Sequence, residues 1–256
     1  MRIISYSDLH LEFGTDFKPP LDDAADVMIL AGDIITFKDF EPLGRFLKNW
    51  EKPVLYVAGN HEYYTRHPMD DGDAEMKEWL AATLPNVKLM QDEAVTIDGV
   101  NFFGGTMWTN FNDADSDAMR AAWRGMSDYR LIYSPQRVPL EPVDTIKFHE
   151  QFVQKLIKWF EADLSGKRVV ISHHAPVSNP KTQYGNSPIT PAFNSLDMEG
   201  IIKQYQPILW VYGHTHECDD QTVGKTRIIS NQLGYPDHSG GYECVGFDPA
   251  GRVFDV

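Results

Sequence analysis

Six of the nine histidines in this chain lie in short polar segments, each placed directly after an apolar run. The segments are Asp8-Leu9-His10, Gly32-Asp33, Gly59-Asn60-His61-Glu62, His173-His174 and Gly213-His214-Thr215-His216. Imidazole, carboxylate and amide groups together suit Mn, Fe, Co, Zn or Ni better than Ca. No cysteine lies in these segments, which argues against a structural zinc site. The side chains therefore predict a centre that binds catalytic metal ions.

Residues of these types also have ordinary structural explanations. An Asp after a strand is more often a turn residue or a helix cap, and a Gly-Asn pair is more often a turn than a ligand. A single buried histidine is more often simply hydrogen-bonded. The remaining histidines, His67, His149 and His238, are scattered along the chain. Because the ordinary explanation would have to hold independently at five segments, the pattern favours a metal centre.

The spacing within two segments has a geometric consequence. In Asp8-x-His10 and His214-x-His216, alternate side chains would point the same way if the strand conformation continued. Each pair would then bind one metal ion or divide between two neighbouring ions. The glycines at positions 32, 59 and 213 would permit tight turns that a Cβ atom would obstruct.

Hydrophobic periodicity predicts the elements that position these residues. Short apolar or β-branched runs bounded by Gly, Asp, Asn or Pro predict strands. They lie at residues 2–7, 27–31, 53–58, 95–97, 101–104, 168–172, 208–212, 226–230 and 242–247. Apolar faces with a helical repeat predict helices over residues 40–50, 73–84 and 144–164. This order indicates an α/β fold in which helices cover mixed sheets and ligands bind at the carboxyl ends of strands.

Two segments show little pattern, residues 114–142 and residues 175–191. The second is rich in Pro, Asn, Ser and Thr and directly follows His173-His174. Loops in such positions often shape access of the substrate to a site, so we expect this role for residues 175–191.

Composition limits the class of protein and its partners. The 256 residues, 42% hydrophobic, suffice for one large domain or two small ones, and we expect a single domain over residues 1–256. No apolar run is long enough to span a membrane, and no secretory signal is evident. Cys218 and Cys244 lack metal-ligand spacing and suggest reduced thiols of a cytoplasmic protein, although one disulfide also fits. The sequence does not fix the oligomeric state.

The formal net charge of −14 bears on the substrate. A strongly acidic surface repels the backbone of duplex nucleic acid and disfavours a duplex binder. A small anionic substrate is still compatible with this charge, because bound metal ions would supply the attraction.

Taken in order, the five polar segments resemble the motifs of the calcineurin-like metallophosphoesterase superfamily. The resemblance extends from residue 8 to residue 216, and the ordered set is far more specific than any one motif. It implies a four-layer α/β/β/α sandwich of two mixed β-sheets flanked by helices. The cofactors that it implies are two divalent metal ions, drawn from Mn, Fe, Zn, Ni and Co, with Mg also compatible.

The resemblance also assigns roles to individual residues. It implies that the first metal is bound by Asp8, His10, Asp33 and His216. It implies that the second is bound by a bridging Asp33 together with Asn60, His173 and His214. His61 matches the family's histidine that contacts the phosphate and protonates the leaving oxygen. His173 is preferred as ligand because it stands first after the strand, which leaves His174 behind it or facing the substrate; the opposite choice stays open.

Two further segments resemble a bacterial subgroup of small stand-alone phosphohydrolases, residues 104–109 and residues 230–236. In relatives the second segment often reads Asn-Pro-Arg-Gly-Tyr, whereas Gln232 and Leu233 replace the Pro and Arg here. If that Arg binds substrate phosphate elsewhere, this protein lacks the contact. Asn231 and Trp108 are candidates to support the site or to contact the substrate, and the alternative for Trp108 is a core or rim aromatic.

The reaction implied by the resemblance is in-line displacement at phosphorus. A hydroxide shared by two ions roughly 3.5–4 Å apart would attack, while His61 neutralises developing charge. We expect a phosphodiesterase that acts on small nucleotide-like diesters. The alternatives are a phosphomonoesterase, including one that acts on phosphoproteins, and a metal-binding scaffold without catalysis.

Overall fold

The computed structural model describes residues 1–15, 17–21, 24–237 and 240–256, so His238 lies outside the described residues. It contains two mixed β-sheets. The first sheet contains β1 (Arg2–Tyr6), β2 (Val27–Ala31), β3 (Val54–Val57), β4 (Val87–Leu89) and β11 (Phe254–Asp255), in the order β11-β1-β2-β3-β4. The second contains β5 (Glu93–Ile97), β6 (Val100–Gly105), β7 (Lys167–Ser172), β8 (Leu209–Tyr212), β9 (Asp219–Val223) and β10 (Thr226–Ser230), in the order β5-β6-β7-β8-β10-β9. Neighbouring strands are parallel except at β11, β5 and β9, each of which pairs antiparallel at a sheet edge.

Helices pack on the outer face of each sheet. Against the first sheet lie α1 (Glu41–Phe46), α2 (Met69–Thr83), α3 (Phe111–Ala114), α4 (Ser116–Gly125) and α5 (Asp128–Leu131). Against the second lie α6 (Pro142–Glu161) and α7 (Met198–Tyr205). In the described part of the chain, no helix combines the length and apolar character needed to cross a membrane.

Strand alternation explains why each sheet is covered on both faces. In β2, Val27, Ile29 and Ala31 pack against residues of the second sheet, whereas Met28 and Leu30 pack against the helices. Successive strand residues point to opposite faces, so a strand that is apolar throughout must be buried on both. The molecule is therefore a four-layer α/β/β/α sandwich, as predicted.

Most predicted elements occur in the structure, with shifted ends. The strands predicted at residues 27–31 and 226–230 have the observed bounds, and the predicted helix at 73–84 begins earlier, at Met69. The strand predicted at residues 242–247 was wrong, because this segment forms a narrow loop in which Glu243 N donates to Tyr235 O at 3.0 Å. The segment 114–142, which lacked a clear pattern, contains α4 and α5.

Candidate metal centre

Five parallel strands from both sheets end at one edge of the sandwich, and their following residues meet there. Asp8 and His10 follow β1, Asp33 follows β2, and Asn60 and His61 follow β3. His173 follows β7, and His214 and His216 follow β8. Because parallel strands deliver their carboxyl ends to one edge, residues more than 200 positions apart become neighbours.

Asp8, His10 and His216 form the first group of potential ligands. Their ligand atoms lie within 4.8 Å of one another, with His216 Nε2 at 3.5 Å from Asp8 Oδ1 and 3.3 Å from His10 Nε2. On its other nitrogen, His216 Nδ1 is 2.6 Å from Glu243 Oε2. Although burial lowers it, hydrogen bonds to Asp8 and Glu243 raise the pKa of His216 to about 10. A metal ion would displace this proton, since a ligating imidazole must be neutral.

Asp33, His173 and His214 form the second group, and their ligand atoms also lie within 4.8 Å of one another. His173 Nε2 is 3.3 Å from Asp33 Oδ1 and 3.1 Å from the amide oxygen of Asn60. His173 Nδ1 lies 2.8 Å from the Ala31 carbonyl, which fixes the ring with Nε2 toward the site. Asp33 also belongs to a group with His10 and His61, so it lies between the two ligand groups where a bridging carboxylate would be needed.

Asn60 is oriented by its amide nitrogen. Asn60 Nδ2 donates to Tyr64 Oη and to Asp128 Oδ1, each at 3.0 Å. This leaves Oδ1, the only metal-binding atom of the amide, facing His173. Burial raises the pKa of Asp128, against the lowering effect of its bonds to Tyr64 and Asn60.

The hydrogen bonding of His214 bears on whether a metal ion fits these residues. His214 Nε2 is buried and has no hydrogen-bond partner in the described part of the chain. Buried polar atoms are almost always paired, so such an atom needs an explanation, and an ion is one. The cluster of imidazoles, carboxylates and one amide around Asp33 therefore fits two divalent metal ions.

The backbone at this edge does not continue the strands. Asp8, His10, Asp33, His214 and His216 all have φ between 45° and 71°, in the left-handed region. For residues other than Gly this conformation is uncommon and costly, and it clusters at functional sites. The strand conformation therefore does not continue through Asp8-x-His10 and His214-x-His216, and turns place these side chains instead. The first pair lies in one ligand group, whereas His214 and His216 divide between the two.

Gly59 and Gly213 are needed for close packing rather than for unusual torsions. A Cβ atom at Gly213 would lie 2.6 Å from Asp8 Oδ2, and one at Gly59 would collide with the carboxylate of Asp33. Of the three predicted turn glycines, only Gly32 has a positive φ, at 87°.

His61 lies at the edge of the ligand groups with both ring nitrogens engaged. Nδ1 is 3.3 Å from Glu12 Oε1, Nε2 is 2.8 Å from Tyr235 Oη, and the backbone N–H donates to Asp33 Oδ1 at 2.9 Å. Burial lowers the pKa of His61, but the charges of Asp33 and Glu12 outweigh this effect and raise it. The ring is thus held beside the metal-binding groups by contacts to both of its nitrogens.

Three residues predicted to support the site or to contact the substrate lie outside the two ligand groups. Trp108 is buried, packs on Phe148 and lies with its ring centroid 5.1 Å from that of His174. His174 lies behind His214, with ring centroids 4.1 Å apart, and is in neither ligand group. Asn231 bonds to Ser5 O and to both backbone groups of Asp248, which fastens the C-terminal loop to β1. None of the three lines the large cavity beside the centre.

Gln232, one of the two replacements noted in residues 230–236, anchors the His214–His216 turn. Its Oε1 accepts from His216 N at 2.6 Å, and its Nε2 donates to Thr215 Oγ1 at 2.8 Å and to Glu217 O at 3.0 Å. Leu233, in the place of the Arg, is buried. Both replacements are visible in the sequence, but these contacts of Gln232 follow no local pattern.

Glu62 received no role from the sequence, yet it joins two of the ligand turns. Its buried carboxylate accepts from the N–H groups of Asp33, Ile34 and Gly59 at 3.0, 2.8 and 2.7 Å, and from Tyr56 Oη at 2.6 Å. Burial and the neighbouring Asp33 raise the pKa of Glu62 to about 7. The position of this Glu directly after Asn60-His61 was the only signal in the sequence.

We expect Glu62→Gln to destabilise the fold through the two turns. One end of the amide would present N–H groups to backbone donors, and each buried donor left unpaired costs about 1–3 kcal/mol. The melting temperature should fall by about 5–10 °C for a protein of this size. Tyr56→Phe is the matched control, because it removes one donor but keeps the carboxylate. An equal or larger loss in Tyr56→Phe would contradict the role of Glu62.

Comparison with known proteins agrees with this geometry. Residues 1–218 match the family model described as calcineurin-like phosphoesterase. An uncharacterized protein of Acanthamoeba polyphaga mimivirus is 30% identical over 268 residues, covering 92% of each chain. A UPF0046 protein of Caenorhabditis elegans is 25% identical, covering 85% of this chain and 64% of that protein.

Solved structures with the same fold include two hydrolases. Phosphopantetheinyl hydrolase from Mycobacterium tuberculosis superposes with a TM-score of 0.69 at 18% identity, covering 91% of this chain and 89% of the other. A dimetal phosphatase from Danio rerio gives 0.51 at 15% identity, covering 90% and 86%. The chain belongs to the calcineurin-like phosphoesterase family and is a metal-dependent phosphoester hydrolase.

Proposed function

We propose that this protein is a cytoplasmic phosphodiesterase that hydrolyses small nucleotide-like diesters in a single domain formed by residues 1–256. Two divalent ions, of which Mn and Fe suit the ligand set, would be held by Asp8, His10, Asp33, Asn60, His173, His214 and His216. When bound, such ions lower the pKa of water and stabilise negative charge on phosphoryl oxygens.

The chain's own residues supply orientation and a proton. Asp33 would hold both ions at fixed separation, and Glu62 and Asp128 would keep Asp33 and Asn60 in place. His61 would donate a proton to the leaving oxygen, which matters most when that oxygen is strongly basic. Glu12 supports this role by engaging Nδ1 and leaving Nε2 on the side of Tyr235 and the cavity.

The charge of the cavity wall is the observation that favours a diester. A cavity of about 420 Å³ adjoins the centre, and among the described residues that line it there is no Lys or Arg. Four carboxylates line it instead, those of Asp33, Asp128, Glu217 and Glu243. A monoester dianion carries one more negative charge than a diester, and the described lining has no Lys or Arg to balance it. The volume also leaves room for an organic group beyond the phosphate.

The experiment is hydrolysis of bis-p-nitrophenyl phosphate and p-nitrophenyl phosphate by metal-stripped protein after Mn²⁺ is added back. We expect cleavage that requires Mn²⁺, with kcat/KM for the diester exceeding that for the monoester about tenfold or more. Monoester preference would contradict the proposal and favour a phosphomonoesterase. Two bound metals without turnover of either ester would favour the scaffold. A nucleotide diester and a phosphopantetheinyl ester belong in the following panel.

A further inference from the structure

The cavity beside the metal centre has an unusual balance of hydrogen-bonding groups. One wall comes from the segment after β7, including Asn179, Tyr184, Phe193 and Asn194. The other comes from the turn after β8, including Glu217. A substrate phosphate at the centre would place one of its ester groups between these walls.

Most of the carboxylates in the cavity are already engaged. Asp33 belongs to the second ligand group and lies beside the first, Asp128 accepts from Asn60 and Tyr64, and Glu243 pairs with His216. Glu217 differs from them. Its Oε1 accepts a hydrogen bond from Gln183 N at 3.0 Å, and it takes part in no ion pair within the described residues. A half-buried carboxylate without a cation attracts a positively charged ligand group.

Asn194 provides an independent sign of a missing donor. The residue is 7% exposed and contributes to the cavity wall. Its Oδ1 is buried and has no hydrogen-bond partner in the described part of the chain. Since unpaired buried acceptors are rare in folded proteins, this oxygen indicates a ligand or water that donates a hydrogen bond there.

Aromatic side chains complete the wall. Tyr184 and Tyr235 are partly exposed in the cavity, and Phe193 stacks on His214 with ring centroids 4.6 Å apart. Aromatic faces attract ammonium groups, and no Lys or Arg of the described lining competes for them.

From these contacts we infer that the cavity is a subsite for an ester group that carries a primary ammonium, as in a phosphodiester of an amino alcohol. Glu217 would bind the positive charge, Asn194 would accept an N–H, and the aromatic rings would cover the methylene groups. The inference rests on the proposed diesterase function and specifies which diesters the site prefers.

A matched pair of substrates tests the subsite with the Mn²⁺-loaded protein. p-Nitrophenyl 2-aminoethyl phosphate and p-nitrophenyl propyl phosphate differ only in an ammonium group replacing a methyl group. In both, water adds to phosphorus, the bond to the p-nitrophenyl oxygen breaks, and p-nitrophenolate leaves with release of a proton. We expect kcat/KM to be about tenfold higher for the aminoethyl ester, mainly through KM. A 2-carboxyethyl ester should be the poorest of the series.

Glu217→Gln removes the negative charge of this side chain but keeps nearly the same size and shape. The amide oxygen can still accept from Gln183 N, so the turn keeps its hydrogen bond while the charge is lost. We expect the aminoethyl-to-propyl ratio to fall to about 2 or less. Glu199→Gln removes the same charge from α7, outside the cavity, and should leave the ratio as in the unaltered protein.

The outcomes separate this inference from the function on which it rests. Equal kcat/KM for the aminoethyl and propyl esters, or a ratio unchanged in Glu217→Gln, would overturn the subsite while leaving the diesterase intact. Hydrolysis of none of the diesters would overturn the diesterase proposal and the subsite with it. A ratio lost only in Glu217→Gln is the result that supports the assignment.

Discussion

Asp33→Asn should produce a folded protein that binds less metal and hydrolyses diesters at least about 10³-fold more slowly. Asp33 lies between the two ligand groups, and the substitution removes the negative charge that would hold two cations near each other. Metal ions supply several kcal/mol of charge stabilisation in such sites, and about 1.4 kcal/mol corresponds to a factor of ten in rate. The amide oxygen can still accept the hydrogen bond from His61 N, so the turn should persist.

Metal content per chain, measured by plasma mass spectrometry after dialysis against Mn²⁺, gives a readout that does not depend on turnover. Thermal unfolding would show whether the variant is folded. Asp117→Asn is the matched control, since this carboxylate is exposed on α4 and pairs only with Arg120 among the described residues. Two equivalents of tightly bound Mn²⁺ in Asp33→Asn would show that this residue does not bridge the ions.

The position of Asp33 illustrates how much of the site the sequence could predict. The apolar run 27–31 followed by Gly-Asp predicts a buried strand with a carboxylate at its end, and β2 has these bounds. The same reasoning worked for the segments after β1, β3, β7 and β8, because parallel strands deliver their ends to one edge of the sandwich. Local pattern was sufficient wherever a potential metal ligand follows its strand.

The residues that support the ligands could not be predicted in this way. Glu243 reaches His216 from a loop, and Glu12 and Tyr235 reach His61 from two segments that are far apart in the chain. No periodicity marks such contacts, since they depend on how loops cross the sheet edge. Two strands were missed because they have little hydrophobic pattern. β9 is polar at all positions but Val223, and β11 contains only two residues.

For Trp108 the sequence allows either a substrate contact or a core or rim aromatic, and its packing favours the second. The segment 104–109 resembles part of a phosphohydrolase motif, yet the indole lies in the core beside Phe148 and His174. A large aromatic side chain next to a polar site can pack beneath the site as readily as it can contact the substrate. Only the path of the chain after β6 decides between these positions.

His61→Ala should keep its metal ions and lose turnover by about 10²–10⁴-fold, the usual contribution of a positioned general acid. The imidazole lies near His10 and Asp33 but belongs to neither of the two ligand groups. Its removal therefore leaves both groups in place. The loss should be larger for a dialkyl phosphate than for bis-p-nitrophenyl phosphate, because an alkoxide needs a proton to leave and p-nitrophenolate does not. His67→Ala, at an exposed position, is the control.

The ratio of these two losses identifies the role of His61. Equal losses on both substrates would indicate that His61 stabilises phosphoryl charge without protonating the leaving oxygen. Normal turnover of both would remove it from the mechanism, and loss of metal would show that the Asp33–His61 contact holds the ligand turns. The Glu12 carboxylate orients His61 through Nδ1. Glu12→Gln should therefore lower turnover less than His61→Ala does, with the same dependence on the leaving group.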